Sequence, residues 1–148
     1  MTPDVTVLVA ASRSDHPHHA VARAWLEQAV FPAAGGASVT LMPMVIASFL
    51  RLVISPKIFS QPTPLADAVG FVDALLGAPG VQLAQLGAEW PVLRQLCLVK
   101  NLSSTDLPDA WLAAATHQLG EHLVTFDRDI KKLLGRSQLT VLALPSVD

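Results

Sequence analysis

This sequence has little charge, a single cysteine and no long hydrophobic run. Charged residues occupy 15% of its 148 positions, whereas about 25% is typical of globular proteins. Apolar residues occupy 51%, which is too many for an intrinsically disordered chain. One cysteine, Cys97, excludes a disulfide scaffold and is the usage expected in a reducing cytoplasm. We expect a single globular domain over residues 1–148.

Membrane and secretory segments are not expected either. The most apolar stretch, residues 39–53, is interrupted by polar residues and by Pro43, so it falls short of about 18 clean residues for a span. The N-terminal sequence MTPDVTVLVAASRSD has no basic start, unlike a secretory signal. The net charge of −2 predicts no strong nonspecific grip on nucleic acid. High apolarity with low charge indicates either a larger core or a surface covered by another chain, with residues 43–55 and 64–76 as candidates.

Extended and helical patterns alternate along the chain. Strands are expected at residues 38–42, 81–84, 121–126 and 139–144, and helices at 20–30, 43–55, 64–76, 88–99 and 107–120, with a short helix ending at 135. The apolar run 5–11 fits either a strand or a helix, because its periodicity does not discriminate between them. This alternation predicts an α/β fold with a parallel sheet covered on both faces.

Acidic residues concentrate near the ends of predicted elements. Asp4 borders the first apolar run, and Asp127 directly follows the strand predicted before it. Ligand sites of parallel sheets form beyond the carboxyl ends of the strands. Asp109 lies in the first turn of a predicted helix, where the helix dipole stabilises a carboxylate.

Three acids at one sheet edge make an oxygen-rich site of the kind that Mg²⁺ or Mn²⁺ prefers. Such a site can activate water and stabilise an in-line displacement at phosphorus. The alternative is that Asp109 and Asp127 are ordinary first-turn and capping acids. The residues alone leave both interpretations open.

Five short motifs follow one another along nearly the whole chain. They are Asp4-Val5-Thr6, His16-Pro17-His18-His19 with Ala24-Trp25 after it, Phe49-Leu50-Arg51, Asp109-Ala110-Trp111-Leu112-Ala113-Ala114, and Leu123-Val124-Thr125-Phe126-Asp127-Arg128-Asp129. In this order they resemble a PIN domain, specifically a VapC-type toxin of a toxin–antitoxin pair. The last two motifs together are the most specific.

This resemblance implies a PIN-like three-layer α/β/α fold with a central, mainly parallel sheet of four to five strands. Asp4 would end the first strand, and the run after it would be helical. The implied activity is that of a Mg²⁺- or Mn²⁺-dependent endoribonuclease, the toxin of a type II toxin–antitoxin pair, which cleaves structured RNA. A VapB-like antitoxin, an RNA substrate and a second copy of the chain are the implied partners.

The resemblance also assigns roles to individual residues. Asp4, Asp109 and Asp127 match the metal-binding and catalytic acids of the family, and Asp129 matches an acid often present beside the last of them. The small hydroxyl residues that line such sites are matched by Thr6 and Thr125.

One position departs from the family pattern. Many members carry a glutamate just before the Phe-Leu-Arg motif, and this chain has Ser48, which supplies no carboxylate. Asp106, a short turn before Asp109, is a candidate replacement or an ordinary helix N-cap. The alternative function is therefore a degenerate PIN domain that binds RNA or a protein without cleavage. A phosphoryl-accepting regulatory domain would also be α/β, but no aspartate follows the strand near residue 42.

Several other residues have two interpretations. Arg51 interrupts an apolar helix and is a candidate contact for an RNA phosphate or a site carboxylate, or else a solvated helix edge. Arg128 begins a basic cluster that would guide RNA or form a charged helix face. The cluster continues with Lys131, Lys132 and Arg136.

Histidine, cysteine and tryptophan residues are expected to be structural. The run of His16, His18 and His19 has no cysteine partner and no i, i+4 pair, so we expect a loop and helix start. Cys97 is expected to be a small buried residue. Surface or capping positions are expected for His117 and His122, and core or interface positions for Trp25, Trp90 and Trp111.

Overall fold

The computed structural model describes residues 1–143 and has parallel strands at its centre. They are β1 (Thr2–Pro3), β2 (Val39–Leu41), β3 (Val81–Leu83), β4 (Leu123–Thr125) and β5 (Leu139–Val141). β4 lies between β1 and β5, and β2 pairs with β3. A hydrogen bond of 2.9 Å from Thr40 N to Met1 O joins the two groups. The predicted parallel sheet is confirmed, divided into three strands plus two.

The helices are α1 (Val5–Ser12), α2 (His19–Val30), α3 (Pro43–Val53), α4 (Leu65–Leu76), α5 (Trp90–Val99) and α6 (Leu107–Gln118). The ambiguous apolar run is helical because Asp4 has extended backbone and its side chain accepts from Val5 N at 2.7 Å, which caps the helix. Two 3-10 turns, Asp129–Lys132 and Arg136–Gln138, replace the predicted helix to 135. The predicted last strand ends at Val141, and its residue 144 lies outside the described residues.

Two apolar clusters lie on opposite faces of the sheet. Consecutive strand residues point to opposite faces, and Leu123 contacts one cluster while Val124 contacts the other. The first cluster includes Phe49 of α3, and the second includes Leu26 of α2. The result is the predicted three-layer α/β/α arrangement. No helix within residues 1–143 is long and apolar enough to cross a membrane.

Parallel pairing determines where the acids lie. Asp4 directly follows β1, and Asp127 comes two residues after β4, the neighbouring strand. Both therefore lie beyond the carboxyl ends of the sheet. Glu121, which precedes β4, lies at the opposite edge, where it accepts from Thr40 Oγ1 at 2.6 Å. The fold thus separates Glu121 from Asp4 and Asp127.

A close approach at Gly80 provides a test of this architecture. Gly80 has φ +83°, and a Cβ there would collide with Ala37 O. We expect Gly80→Ala to lower the free energy of unfolding by about 1–3 kcal/mol more than Gly36→Ala. Gly36 has φ +76° with open space around it. Its substitution therefore costs only the strain of an alanine in the left-handed region, about 1–2 kcal/mol of folding free energy. Urea unfolding measures both; equal losses would contradict the close approach.

Candidate active site

The Asp4 carboxylate is buried and held by three donors. Its side chain sits at the junction of β1 and α1 and is 6% exposed. Oδ1 accepts from Val5 N at 2.7 Å, and Oδ2 accepts from Thr125 Oγ1 at 2.7 Å and Thr6 Oγ1 at 3.2 Å. Burial raises the pKa of Asp4, against these hydrogen bonds, and the charge of Asp127 raises it further.

The two threonine hydroxyls link α1 to the segment after β4. Thr125 Oγ1 accepts from Asp127 N at 2.9 Å, and Thr6 Oγ1 accepts from Phe126 N at 3.0 Å. The hydroxyl oxygens are 3.2 Å apart. Thr6 and Thr125, predicted as lining residues, therefore fix the backbone that presents Asp127.

Asp109 is half-buried in the first turn of α6. Burial raises the pKa of its carboxyl, and the charges of Asp4, Asp127 and Asp106 raise it further. The three predicted acids are thus close enough to affect one another, although they come from three separate elements.

The acids are gathered but not closely converged. Asp127 Oδ1 accepts from Asp129 N at 2.9 Å, and the Asp129 side chain is exposed. Within the described part of the chain, no three His, Cys, Asp or Glu side chains are grouped closely enough to hold one metal ion. The arrangement is an acidic edge rather than a closed cage of ligands.

Asp106 has other partners. Its Oδ1 is 2.7 Å from Lys132 Nζ, and its Oδ2 accepts from Ser103 N at 2.9 Å and Ser103 Oγ at 3.0 Å. The Lys132 ammonium and the Ser103 donors lower the pKa of Asp106 to about 2. The side chain does not cap α6, since it closes a capping box over the 3-10 turn Ser104–Asp106. The arrangement does not favour Asp106 as a substitute for the missing glutamate.

A cleft of about 920 Å³ opens beside Asp4 and Asp109, and we call it the carboxylate cleft. Ser48 of α3 lines the same cleft, so the position without a carboxylate faces these acids. The rest of the lining is largely apolar and includes Trp90, Leu93, Cys97, Leu107 and Trp111.

The prediction that Cys97 is buried was wrong, and Trp90 lies outside the core, which leaves the interface as its predicted place. Cys97 is exposed because α5 has no fully buried residue, and Trp90 is 59% exposed. Trp111 is 39% exposed at the cleft. Trp25 packs half-buried against the cluster under α2, as expected.

Glu89 is a residue that sequence reasoning missed. It is buried, and its carboxylate accepts from Trp111 Nε1 at 2.9 Å and Gly87 N at 2.6 Å. Burial alone would raise the pKa of Glu89, but these donors outweigh it and lower the pKa. Glu89 thereby orients Trp111 at the cleft. No local pattern predicts a contact between residues 22 positions apart.

A second pocket, of about 440 Å³, lies on the other side of Val5, and we call it the histidine pocket. Its lining includes His16, His18, Thr6 and Asp127. The histidines lie in the turn before α2, as predicted.

The basic candidates lie at the surface. Arg51 and Arg128 are exposed, and neither forms an ion pair within residues 1–143. Arg51 is therefore not the partner of a site carboxylate within residues 1–143, and its contact with an RNA phosphate stays a prediction. His117 and His122, also as expected, bond at the surface to Gln138 and Thr140.

Arg13 is a second residue without a sequence signal. Its side chain is buried and forms an ion pair of 2.8 Å with Asp15. It also donates to Thr63 Oγ1 at 3.0 Å and Gln61 O at 2.9 Å, and its guanidinium stacks 3.8 Å from the centre of the Phe59 ring. Arg13 therefore holds the loop after α3 against the turn before α2.

Comparison with known proteins identifies the family. The PIN-domain family profile matches residues 1–134. The chain is 38% identical over 130 residues to Ribonuclease VapC25 of Mycobacterium tuberculosis, covering 87% of this chain and 89% of that protein. It is 37% identical over 132 residues to Ribonuclease VapC31 of the same organism, with the same coverage. The chain therefore belongs to the PIN-domain family of VapC ribonucleases.

A solved structure supports the fold independently. The crystal structure of VapC20 of Mycobacterium tuberculosis, described as a sarcin–ricin loop cleaving toxin, superposes with a TM-score of 0.63. The match covers 88% of this chain and 92% of that one at 16% sequence identity. This likeness concerns the fold.

Removal of the Thr125 hydroxyl tests the support of Asp4. We expect Thr125→Val to lower the free energy of unfolding by about 1–3 kcal/mol, because a buried carboxylate and a backbone N–H lose their partner. Thr116→Val is the matched control, since Thr116 is equally buried and donates only to Leu112 O, within α6. That carbonyl keeps its helical partner, so we expect a smaller loss. Similar losses in urea unfolding would contradict the role of Thr125.

Repulsion among the acids predicts a variant that is more stable than the parent. The pKa of Asp109 is raised in the folded state, so folding favours its protonated form and the carboxylate destabilises the protein at neutral pH. We expect Asp109→Asn to raise the free energy of unfolding at pH 7 in the presence of chelator. The difference should disappear below the unfolded pKa of about 3.9.

Asp73→Asn is the control, because Asp73 is exposed on α4. Urea unfolding between acidic and neutral pH measures the effect. A loss of stability in Asp109→Asn at pH 7 would contradict repulsion at this site.

Proposed function

We propose that this chain is a Mg²⁺- or Mn²⁺-dependent endoribonuclease, the toxin of a type II toxin–antitoxin pair, acting on structured RNA in the cytoplasm. The observation that carries the proposal is the set of three acids, Asp4, Asp109 and Asp127, which lie near one another in a VapC-family fold, where burial and mutual repulsion raise the pKa values of Asp4 and Asp109. Uncompensated negative charge at one edge favours binding of a divalent cation.

The donor set fits such a cation. The side chains at the acidic edge offer carboxylate and hydroxyl oxygens, which Mg²⁺ and Mn²⁺ prefer to nitrogen or sulfur. Mg²⁺ keeps several waters and is usually held by one or two carboxylates, which suits acids that are gathered without closing a cage. When bound, the ion would supply an activated water and neutralise charge that develops on the phosphate.

The chain's own residues hold and orient this site. Asp4, Asp109 and Asp127 would bind the ion, and the Thr6 and Thr125 hydroxyls keep Asp4 and the Asp127 backbone in place. The exposed Asp129 carboxylate would supply a further oxygen ligand, because the hydrogen bond from Asp129 N to Asp127 keeps the two residues together. Arg128, exposed next to Asp127, would draw the RNA backbone towards the acids.

Protein partners are part of the proposal. Exposed apolar side chains include Leu65 and Val69 on α4 and Leu98 and Val99 on α5. Among the described residues, α3 exposes no large apolar side chain, so it is a weaker candidate surface than the sequence indicated. We propose that a VapB-like antitoxin and a second copy of the chain cover the exposed faces.

RNA cleavage by the purified protein tests the function. We expect discrete cuts in a mixed RNA pool with Mg²⁺ or Mn²⁺, none with chelator, and a loss of at least about 100-fold in Asp109→Asn. Asp73→Asn should cut like the parent. Cleavage that persists in chelator or in Asp109→Asn would contradict the proposal. Mn²⁺ binding, followed by electron paramagnetic resonance, should weaken in the same variant without reference to activity.

The second candidate is a degenerate PIN domain that binds RNA or protein without cleavage. The position of Ser48 in the carboxylate cleft favours it, because the cleft lacks the carboxylate that many relatives place there. Ser48→Glu separates the two functions. If the folded parent binds RNA but cuts nothing, and Ser48→Glu binds Mn²⁺ and cuts, the degenerate function is correct. If the parent already cuts, we expect Ser48→Glu to strengthen Mn²⁺ binding.

A further inference from the structure

The histidine pocket has flat aromatic walls. The His18 ring lies 4.5 Å from the Phe126 ring, centre to centre, at an interplanar angle of 36°. The rings of His16 and His18 are 5.5 Å apart at 64°, and Phe59 lines the pocket as well. His18 and Phe126 pack against each other, and Arg13 covers one side of Phe59, which leaves the other sides of these rings as the surfaces on which an unpaired base would stack.

A few polar side chains lie among the apolar residues that line the pocket. His18 N donates to His16 Nδ1 at 3.0 Å, so Nδ1 is an acceptor and Nε2 carries the proton of the neutral ring. Burial and the neighbouring His18 lower the pKa of His16, which favours that neutral form. Asp127 lines the same pocket, and none of the described residues that line the pocket is Lys or Arg. This is a poor phosphate site and a suitable base site.

The pocket also adjoins the acids. Thr6 and Asp127 line it, and Val5 lines both it and the carboxylate cleft. A base is joined to its phosphate through one ribose. A phosphodiester at the acids therefore places a neighbouring base within reach of this pocket.

The walls are fixed before any ligand binds. Arg13 bonds to Asp15, Thr63 and the carbonyl of Gln61, and it stacks on Phe59. These contacts hold the outer wall, at Phe59, against the turn that carries the histidines. A preformed pocket avoids the entropy cost of ordering a loop on binding.

We propose that the histidine pocket receives one unpaired nucleobase of the RNA substrate, next to the phosphodiester at Asp4, Asp109 and Asp127. The proposal rests on the ribonuclease function above and adds to it a determinant of the cut site. His16, His18 and Phe126 contact the base, and Arg13 is a positioning residue for the wall.

Binding is tested without cleavage. Protein in chelator is titrated with AMP, GMP, CMP and UMP at millimolar concentration, and the ring signals of its 5 histidines are followed by NMR. We expect at least one nucleotide to shift the His16 and His18 signals while His117 and His122, bonded at the opposite end of the sheet, do not move. The His16 shift should be lost in His18→Ala and kept in His18→Phe, which retains an aromatic face.

A leucine amide serves as the competing probe, because the apolar side chain of a protein partner is the alternative ligand for this pocket. If N-acetyl-leucinamide shifts the two histidines and no nucleotide does, the pocket is a peptide subsite and the proposal is overturned. No shift with any nucleotide, or equal shifts at His117, overturns it as well.

Cleavage then measures the contribution of the pocket. We expect His18→Ala to lower kcat/KM at the main cut site by about tenfold or more, and His18→Phe to stay within about threefold of the parent. His117→Ala is the matched control and should be unchanged. Circular dichroism establishes that each variant is folded. With the parent protein, an RNA that lacks the base beside the cut should show the same fold-decrease in kcat/KM. With His18→Ala, removal of that base should cause no further decrease.

The outcomes distinguish this proposal from the function on which it rests. Asp109-dependent cleavage that His18→Ala does not affect overturns the base pocket and leaves the ribonuclease. Nucleotide shifts at His16 and His18 without any cleavage overturn the ribonuclease and leave a base-binding pocket.

Discussion

The buried carboxylate of Asp4 is the constraint on which the rest of the structure depends. A charge removed from water is costly unless donors surround it, and here a backbone N–H and two hydroxyls do so. The same contacts begin α1, join α1 to β4 through Thr125, and set the direction of the chain at Asp127. The Asp4 carboxylate therefore takes part at once in the cap of α1, in the link from α1 to β4 and in the geometry of the site.

This arrangement places function and stability in opposition. Asp4 and Asp109 both have raised pKa values, since burial and the neighbouring acids disfavour their ionised forms. A fold selected for stability alone would replace one of them with a neutral residue. The four acids that form ion pairs within residues 1–143 are Asp15, Glu27, Asp106 and Glu121, and none of them is Asp4, Asp109 or Asp127. A bound cation, as proposed above, would offset the repulsion among these acids.

Much of the fold and the positions of the main acids were predictable, because they follow from local rules. Parallel strands place their following residues at one edge, so Asp4 and Asp127 meet there, and the family motifs located Asp109. The run at residues 5–11 is helical because Asp4 caps it, and hydrophobic periodicity carries no information about such a cap.

What the sequence missed depends on long-range packing. The partner of Asp106 is Lys132, 26 positions away, and that of Glu89 is Trp111; neither spacing has a local signature. The prediction that Cys97 is buried failed because the apolar residues of α5 extend beyond its packed face. The sequence of α5 therefore resembles that of a core helix. The pocket beside the histidines required Arg13 and a loop 50 residues later.

The contacts of Arg13 connect two parts of the molecule that have different roles. The acids lie at the ends of strands and on α6. Phe59, in contrast, belongs to the loop after α3, which Arg13 contacts at Thr63, at the Gln61 carbonyl and at the Phe59 ring. Substitutions in that loop can alter the shape of the wall without moving a carboxylate. In the base pocket proposed above, a different loop would therefore present a different wall to the base while the carboxylates stay in place.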